Sequence, residues 1–262
     1  MKDKQAVLVV SFGTSYLDTL EKNIAAIETV IGQALPEYTL RRAFTSSIIM
    51  RKLRSRDGLQ IDNVPQALTR LMDERFERVI IQPTHMINGE EYDKLCAMAA
   101  PFRDLLQITI GAPLLTTVPD YMNMVKAIMS SMEAPAEGEA IVFMGHGTAH
   151  HANATYALLE YIFQDLGWDR AFVGTVEGYP ELPQVVRKLK ALPEITRVRL
   201  HPLMVVAGDH ATNDMAGPDE DSWRSQLEAL GYSVACVLKG MGEYPAVRAL
   251  FARHAAEAAD QV

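Results

Sequence analysis

The strongest constraint on the fold is that the second half of the chain repeats the motifs of the first half in the same order. The matching pairs are VLVVSFGTS (Val7–Ser15) with AIVFMGHGTA (Ala140–Ala149), VPQAL (Val64–Leu68) with LPQVV (Leu182–Val186), VIIQPTHMINGEEY (Val79–Tyr92) with VRLHPLMVVAGDHATND (Val198–Asp214), and VPDYMNMV (Val118–Val125) with YPAVRALF (Tyr244–Phe251). Chance explains any one match, but a set of matches in one order indicates an internal repeat. The sequence therefore predicts a duplicated pair of lobes.

Within each half, short apolar runs alternate with longer amphipathic stretches. The runs predicted as strands are Ala6–Val10, Val79–Ile81, Leu106–Ile110, Ile141–Met144, Ala171–Val176, Val198–Leu200 and Val234–Leu238. The predicted helices are Asp18–Leu35, Pro65–Phe76, Tyr121–Met132, Tyr156–Leu166, Pro183–Leu192 and Pro245–Ala256. This alternation is typical of an α/β fold with parallel sheets flanked by helices. We expect two similar Rossmann-like lobes, residues 1–133 and 140–262, joined through the Pro/Gly/Glu-rich segment Glu133–Glu139 and facing each other across a cleft.

Composition excludes several classes of protein. Hydrophobic residues make up 48% of the chain, which allows a large core, and the net charge of -8 argues against nucleic acid or an anionic membrane surface as the main partner. No apolar run has the length of a membrane span, and the apolar start, Ala6–Val10, is too short for a signal peptide. Cys96 and Cys236 form no CxxC pair. These features predict a cytoplasmic protein; they leave the oligomeric state open, a homo-oligomer included.

Metal-binding side chains follow the predicted strand ends. In parallel α/β sheets, ligands bind beyond the carboxyl ends of the strands, and two lobes add the cleft between them. The duplication aligns Phe12 with His146 and Glu91 with His210. Each residue alone has an ordinary explanation: a loop hydrogen bond for His146, a helix cap for His210, and a solvated first-turn acid for Glu91. Together, imidazole and carboxylate ligands predict a site for Co(II), Fe(II), Ni(II) or Zn(II).

Other residues near these strand ends support weaker predictions. His150 and His151 align with the start of a helix, and we interpret them as secondary; His85 follows a strand and is predicted to line the cleft. The segment Met50–Arg56 carries four basic residues in an acidic chain. It is either a solvated helix end or a clamp for a ligand with several carboxylates, and the sequence favours neither. The SFGTS and GHGTA turns lack a nucleotide-binding pattern, so no nucleotide is predicted.

Several motifs together resemble a known family. VVSFGTSYLDTLEKNI, AFTSSIIMRKLRSRDG, HMINGEEYDK, MGHGTAHH and PLMVVAGDHATNDMAG are similar to the sirohydrochlorin cobaltochelatases of the anaerobic cobalamin pathway, which are class II chelatases of the ferrochelatase-like superfamily. The resemblance implies two α/β lobes and insertion of Co(II) into sirohydrochlorin without nucleotide hydrolysis, to give cobalt-sirohydrochlorin. It places the metal ligands of the family on His146, Glu91 and His210. It also places Ser11, Phe12, Gly13 and Thr14 against the macrocycle.

The reaction assigns roles to these residues. Insertion replaces pyrrole N–H protons by one divalent ion, so the site must hold a metal loosely and accept protons. A histidine ordinarily titrates at ~6.5 and can do both. We expect His146 to be the principal base, Glu91 to balance charge and offer a second proton route, and His210 to complete the ligand set. Two alternatives remain open: an iron-inserting chelatase for sirohaem, and a non-catalytic carrier of tetrapyrrole or metal.

Overall fold

The computed structural model describes residues 4–261 and contains two four-stranded parallel sheets. The strands of the first are β1 (Gln5–Ser11), β2 (Thr39–Phe44), β3 (Arg78–Pro83) and β4 (Gln107–Ile110), in the order β2-β1-β3-β4. Those of the second are β5 (Glu139–Gly145), β6 (Ala171–Thr175), β7 (Arg197–Pro202) and β8 (Ser233–Cys236), in the order β6-β5-β7-β8. The same order occurs in both sheets, so the predicted α/β fold with two similar parallel-sheet lobes is confirmed.

Helices connect the strands of each parallel sheet. In the first half they are α1 (Leu17–Thr19), a π-helical segment (Leu20–Ala25), α2 (Ala26–Ala34), α3 (Ser47–Asp57), α4 (Val64–Asp73), α5 (Glu90–Ala99) and α6 (Val118–Ser131). In the second half they are α7 (Ala154–Asp165), α8 (Leu182–Lys190), a π-helical segment (Ala211–Met215), α9 (Trp223–Ala229) and α10 (Pro245–Ala259). Single 3-10 turns lie at Ala100–Phe102, His151–Asn153 and Met241–Glu243. None of the helices within residues 4–261 combines the length and apolarity that crossing a bilayer requires.

The repeated helix starts have a local physical cause. Asn63 and Gln66 form a reciprocal capping box at the start of α4, and Pro65 lies in its first turn. At α8 the Glu181 N–H likewise donates to the Gln184 side chain, at 2.8 Å, and Pro183 lies in the first turn. A proline there costs no hydrogen bond, because the first helical N–H groups have no partner inside the helix. The matched VPQAL and LPQVV segments are therefore both helix starts, as predicted.

The chain divides in space differently from the predicted 1–133 and 140–262. Unit 1 comprises the residues up to Thr116 together with those from Val247 onward, and unit 2 comprises Thr117–Ala246. The terminal helix of each repeat thus belongs to the other repeat's unit. In unit 2, the Tyr121 hydroxyl of α6 lies 2.9 Å from the hydroxyl of Thr155 on α7. In unit 1, His254 of α10 bonds to the carbonyl oxygen of Ala112 at 3.2 Å. An apolar stripe predicts that a helix is buried, but not against which sheet.

Each unit has its own apolar core, and the central strands β1 and β5 are buried in it. The core of unit 1 packs β1 and β3 against α4 and α5, and that of unit 2 packs β5 and β7 against α8 and α9. Because the strands of each sheet are parallel, the loops that follow β1 and β5 lie at the same edge of their sheets as the loops that follow the neighbouring strands.

Candidate functional site

The loop after β5 presents His146. The strand ends at Gly145, where a Cβ would approach the Tyr156 ring to 2.2 Å, so a larger residue does not fit. Gly147 follows with φ +84, a left-handed conformation that glycine adopts without strain. His146 lies between these glycines with its side chain 48% exposed. Its Nδ1 lies 2.9 Å from the Gly147 carbonyl oxygen, which accepts the Nδ1 proton and leaves the Nε2 lone pair for a ligand.

The loop after β6 brings Glu177 to this histidine. The backbone N–H groups of Val176 and Glu177 both donate to the carbonyl oxygen of His146, at 3.1 and 2.8 Å. The Glu177 carboxylate lies 3.7 Å from His146 Nδ1. Asn153 joins the two loops, since its Oδ1 accepts from the Thr148 N–H at 3.0 Å and its Nδ2 donates to the Tyr179 carbonyl. The position of Glu177 is therefore set by backbone contacts rather than by its own side chain.

The loop after β7 brings in His210. Its ring lies 4.7 Å from the His146 ring, centroid to centroid, with the ring planes at 89°. His210 Nδ1 bonds to the Asp214 carboxylate at 2.5 Å. A carboxylate on Nδ1 holds the ring in one orientation and makes Nε2 a better electron donor to a metal. His210 and Asp214 lie on the same helical face because they are four residues apart across the helical turn that follows the histidine.

His146, Glu177 and His210 form one cluster in unit 2. Each offers one ligand atom, and these atoms all lie within 4.8 Å of one another. Two imidazoles and one carboxylate suit a divalent first-row transition metal and leave coordination positions open. The structure thus brings together two of the predicted ligands, His146 and His210. It adds Glu177, which sequence reasoning missed although a carboxylate just past the end of a predicted strand is the same signal that identified His146.

The third predicted ligand, Glu91, belongs to unit 1. It lies in the first turn of α5, where acidic residues are favoured by the helix dipole. Its carboxylate accepts a hydrogen bond from the Thr45 hydroxyl at 3.0 Å and pairs with Lys94 at 2.7 Å. Lys94 is 60% exposed, so this ion pair is screened by water and restrains the carboxylate only weakly. Glu91 remains a prediction from the sequence.

His85, the predicted lining residue, follows β3 in unit 1. Both of its ring nitrogens are buried and have no hydrogen-bond partner within the described part of the chain. Burial lowers the pKa of His85 to about 4, and the nearby Glu91 charge only partly opposes this effect. The side chain is therefore an uncharged imidazole at neutral pH.

The SFGTS loop of unit 1 is built like the loop that carries His146. Gly13 has φ +102, and the Thr14 hydroxyl accepts from the Tyr16 N–H at 3.2 Å. Ser11 is buried, and its hydroxyl accepts from Thr84 at 2.8 Å. Phe12 remains 48% exposed. Of the four residues predicted to contact a macrocycle, Phe12 therefore offers the apolar surface, whereas Ser11 and Thr14 hold the loop in shape.

His150 and His151 lie close to each other, with ring centroids 3.9 Å apart. The Ala152 N–H donates to His150 Nδ1 at 3.2 Å, and the His150 N–H donates to the Thr148 hydroxyl at 3.0 Å. His150 therefore caps the short turn His151–Asn153, which agrees with the secondary role predicted for the pair.

Comparison with known proteins gives consistent likenesses. A family model described as cobalt chelatase (CbiK) matches residues 5–260. The sirohydrochlorin cobaltochelatase of Salmonella typhimurium is 46% identical over 252 residues, which cover 96% of this chain and 95% of that protein. The sirohydrochlorin cobaltochelatase CbiKC of Nitratidesulfovibrio vulgaris is 34% identical over 245 residues, covering 92% and 86%.

Among solved structures, SirB from Bacillus subtilis with Fe3+ superposes with a TM-score of 0.68 over 98% of this chain and 96% of that chain. A structure of CbiX, titled as the terminal enzyme for biosynthesis of siroheme in denitrifying bacteria, superposes with a TM-score of 0.56 over 97% and 99%. At identities of 15% and 20%, these likenesses show a shared fold and nothing more.

Proposed function

Because the chain belongs to the cobalt chelatase (CbiK) family, we propose that it inserts Co(II) into sirohydrochlorin to give cobalt-sirohydrochlorin, without nucleotide hydrolysis. The family resemblance seen in the sequence is thereby confirmed. The observation that carries the proposed activity is the cluster of His146, Glu177 and His210, with ligand atoms within 4.8 Å of one another. Its nitrogen and oxygen donors bind Co(II) without the soft thiolates that would retain it.

The reaction requires a metal site that also accepts protons. One divalent ion enters the macrocycle, two pyrrole N–H protons leave, and charge balances. His146 is suited to both tasks, because imidazole binds a metal only when neutral and can take up a proton when the metal departs. Glu177 supplies a negative charge beside His146 and lowers the cost of holding a cation. Asp214 orients His210 through its bond to Nδ1.

Residues of unit 1 are proposed to contact the organic substrate, the macrocycle. Phe12 offers an exposed apolar ring to the macrocycle, and Ser11, Gly13 and Thr14 hold the loop that presents it. His85 is uncharged at neutral pH and thus suits contact with the apolar ring system. Glu91 is proposed as a further metal ligand and proton acceptor. A cytoplasmic location is part of the same proposal and is supported by the two cysteines, which are both free thiols.

The same donor set fits Fe(II), so an iron-inserting chelatase is the second candidate. Imidazole and carboxylate ligands discriminate poorly between Co(II) and Fe(II). A competition experiment between the two ions for one macrocycle therefore tests which metal the protein prefers. Sirohydrochlorin is incubated with equal Co(II) and Fe(II) under anaerobic conditions, and the ratio of the two products is measured.

The decisive experiment is a turnover assay. Catalytic amounts of metal-free protein are mixed with sirohydrochlorin and Co(II), and the absorbance of the macrocycle is followed against a reaction without protein. We expect many turnovers per protein molecule. A spectral change that stops at one equivalent, with no acceleration, would establish a carrier and overturn the enzyme proposal.

Glu177 can be tested in the same assay with a matched control. Glu177→Gln removes the charge beside His146, and Glu220→Gln removes a charge from an exposed carboxylate elsewhere in unit 2. We expect Glu177→Gln to weaken Co(II) binding about tenfold or more, whereas Glu220→Gln leaves it unchanged. Equal Co(II) affinities for the two variants would remove Glu177 from the ligand set.

A further inference from the structure

Unit 1 carries exposed apolar side chains beside the loop that follows β1. Phe12 is 48% exposed, Tyr16 is 38% exposed and Ile48 is 68% exposed. Phe12 and Tyr16 flank the Gly13 turn, and Ile48 lies in the first turn of the neighbouring helix α3. Apolar side chains exposed singly need no explanation, but a group of them in one place marks a binding surface. We call these three residues the apolar patch.

Helix α3 is attached firmly to this loop. The backbone N–H groups of Thr45 and Ser46 donate to the carbonyl oxygens of Ser11 and Phe12, at 3.0 and 3.2 Å. The Ser46 hydroxyl caps the helix by accepting from the Ile49 N–H. Near the other end of the helix, Arg56 donates to the carbonyl oxygen of Ser15 at 2.5 Å. Because both ends of the helix contact the loop, the side chains on its outer face keep a fixed place relative to the apolar patch.

Two cations lie on the same outer face. Arg51 and Lys52 follow Ile48 by three and four residues and therefore share its side of the helix. Lys52 Nζ lies 6.0 Å from the centre of the Tyr16 ring. Both side chains are exposed, and neither forms an ion pair within residues 4–261. They therefore present two uncompensated positive charges at the edge of the apolar patch, in a chain whose net charge is -8.

Four other arginines of unit 1 already form ion pairs, whereas Arg54 of α3 is exposed and forms none within residues 4–261. Arg41 pairs with Glu74, Arg42 with Glu28 and Arg70 with Asp62. Arg56 pairs with Asp57 in addition to its bond to the loop. These ion pairs support the fold of unit 1. Arg51 and Lys52 have no such structural duty, so their charge is available to a ligand.

We propose that the apolar patch, together with Arg51 and Lys52, binds the edge of the tetrapyrrole, with the cations pairing with carboxylates on its periphery. The proposal rests on the proposed function, because that function supplies a flat apolar ligand rimmed by carboxylates. The surface is complementary to a tetrapyrrole in both apolarity and charge. The apolar side chains can contact the ring, and the guanidinium of Arg51 and the ammonium of Lys52 can pair with the carboxylates. Of the basic residues in Met50–Arg56, this assigns ligand binding to Arg51 and Lys52 and a structural role to Arg56.

The test is a binding titration that needs no turnover. Metal-free protein is titrated with sirohydrochlorin, in the absence of any metal, and the dissociation constant is measured by fluorescence. The variants are Arg51→Gln/Lys52→Gln and the charge reversal Arg51→Glu/Lys52→Glu. Arg54→Gln and Arg54→Glu are single-charge controls, because Arg54 is an exposed arginine of the same helix that lies six residues from Ile48 and hence on another side of the helix from the apolar patch. Circular dichroism verifies the fold of each variant.

We expect the neutral double variant to bind sirohydrochlorin roughly tenfold more weakly and the reversed variant more weakly still. The Arg54 controls should stay within about twofold, since a lone exposed charge contributes little. The affinity for Co(II) alone should be unchanged in every variant. In turnover, the double variant should raise KM and leave kcat unaltered, which marks lost binding rather than lost chemistry.

The outcomes separate this proposal from the proposed function. A folded double variant that binds sirohydrochlorin as tightly as the unmodified chain overturns the patch, whether or not the protein turns over. Equal losses in the Arg54 controls also overturn it, because the effect would then be one of overall charge. Weakened binding in a protein that shows no turnover supports the patch and rejects the chelatase. Failure of the unmodified chain to bind sirohydrochlorin rejects both.

Discussion

The loops after β1 and β5 have the same backbone but different chemistry. Gly13 and Gly147 both have positive φ, +102 and +84. The threonine that follows each glycine accepts a hydrogen bond from the N–H two residues further on, at 3.2 Å in unit 1 and 3.0 Å in unit 2. The residue before each glycine is exposed, but it is Phe12 in one loop and His146 in the other. A repeated turn thus presents one side chain at a strand end, an apolar ring in unit 1 and an imidazole in unit 2.

The two loops differ in what supports them. A Cβ on Gly13 would lie 2.6 Å from the side chain of Phe44. A Cβ on Gly147 would lie 2.5 Å from the backbone nitrogen of Gly178 and 2.9 Å from the carbonyl carbon of Glu177. The loop with the histidine is therefore packed directly on the backbone that carries Glu177. Ligands that must share a metal need this rigidity, whereas an apolar contact tolerates some movement.

The largest effect is expected from truncating the side chains at the two equivalent positions, His146 and Phe12, to alanine. His146→Ala removes both a metal ligand and the proposed base, and should lower the rate of Co(II) insertion by roughly a thousandfold or to the uncatalysed level. Phe12→Ala removes apolar contact only, and should raise KM by about tenfold or less with little change in kcat. Steady-state kinetics with sirohydrochlorin measure both. Insertion by His146→Ala at the unmodified rate, in a folded protein, would show that His146 is not the base.

The two glycines should also respond unequally. Gly147→Ala combines a left-handed residue with a clash against backbone, which cannot move aside, and should lower the free energy of unfolding by about 3 kcal/mol or more. Gly13→Ala meets a phenylalanine side chain that can rotate, and should cost about 1–2 kcal/mol. Urea unfolding of both variants gives the difference. A smaller loss for Gly147→Ala than for Gly13→Ala would contradict the idea that the histidine loop is the more rigid of the two.

A third expected effect concerns the carboxylate that supports His210. Asp214→Asn removes the carboxylate charge that faces Nδ1 of that ring and should weaken Co(II) binding by about 10–100-fold without unfolding the protein. The control is Asp209→Asn, which changes the exposed carboxylate next to His210 in sequence. Isothermal titration with Co(II) measures the affinities. If both variants bind like the unmodified chain, Asp214 does not orient a ligand.

An effect that appears only below neutral pH compares a buried histidine with an exposed one in unit 2. His201 in β7 is buried, has no hydrogen-bond partner on either ring nitrogen within residues 4–261, and packs against Phe143. Burial lowers the pKa of His201 to about 4, and nearby Arg199 acts in the same direction. Between about pH 4 and the ordinary histidine pKa of ~6.5, His201 is protonated in the unfolded chain and neutral in the folded chain. The stability that His201 contributes is thus complete at neutral pH and lost as the pH falls through this range.

His201→Leu should remove this dependence. Relative to pH 7, the unmodified chain should lose about 2 kcal/mol of unfolding free energy at pH 5 through this histidine, on top of the losses from other groups. The leucine variant should show a correspondingly smaller loss and equal or greater stability at pH 7, because no polar group is left buried. His151→Leu, at an exposed position, is the control. Parallel stability–pH curves for His201→Leu and the unmodified chain would refute the assignment.

Much of the fold could be predicted because its signals are local. The buried strands β1, β3 and β5 are continuous apolar runs, and the helices α4 and α8 begin at capping residues followed by proline. Strand β2 was missed because TLRRAF is broken by two arginines. As an edge strand it is only partly buried, and Arg41 and Arg42 pair with Glu74 and Glu28 at its surface. An edge strand needs only one neighbour, so its sequence carries little apolar pattern.

The candidate site could likewise be predicted only in part from the sequence. His146 and His210 were predicted because the repeat aligns them with strand ends, and the structure brings their rings to 4.7 Å. Glu177 also follows a predicted strand, Ala171–Val176, but it was not predicted because the loop after β6 has no equivalent among the matched motifs. Its place beside His146 depends on hydrogen bonds from its own backbone to the His146 carbonyl oxygen. Contacts of that kind are invisible in a pattern of residue types.

The sequence by itself determined the α/β class, the duplication, the family and two residues of the proposed metal site, since each of these follows from local periodicity or from motifs short enough to read. Only the tertiary structure decided which sheet the terminal helices α6 and α10 join, that Glu177 completes the cluster, and that Asp214 orients His210. The physical reason is that these outcomes depend on which surfaces and loops contact each other in the folded chain. Residue types restrict the possible tertiary contacts, and packing and hydrogen-bond geometry decide which of them form.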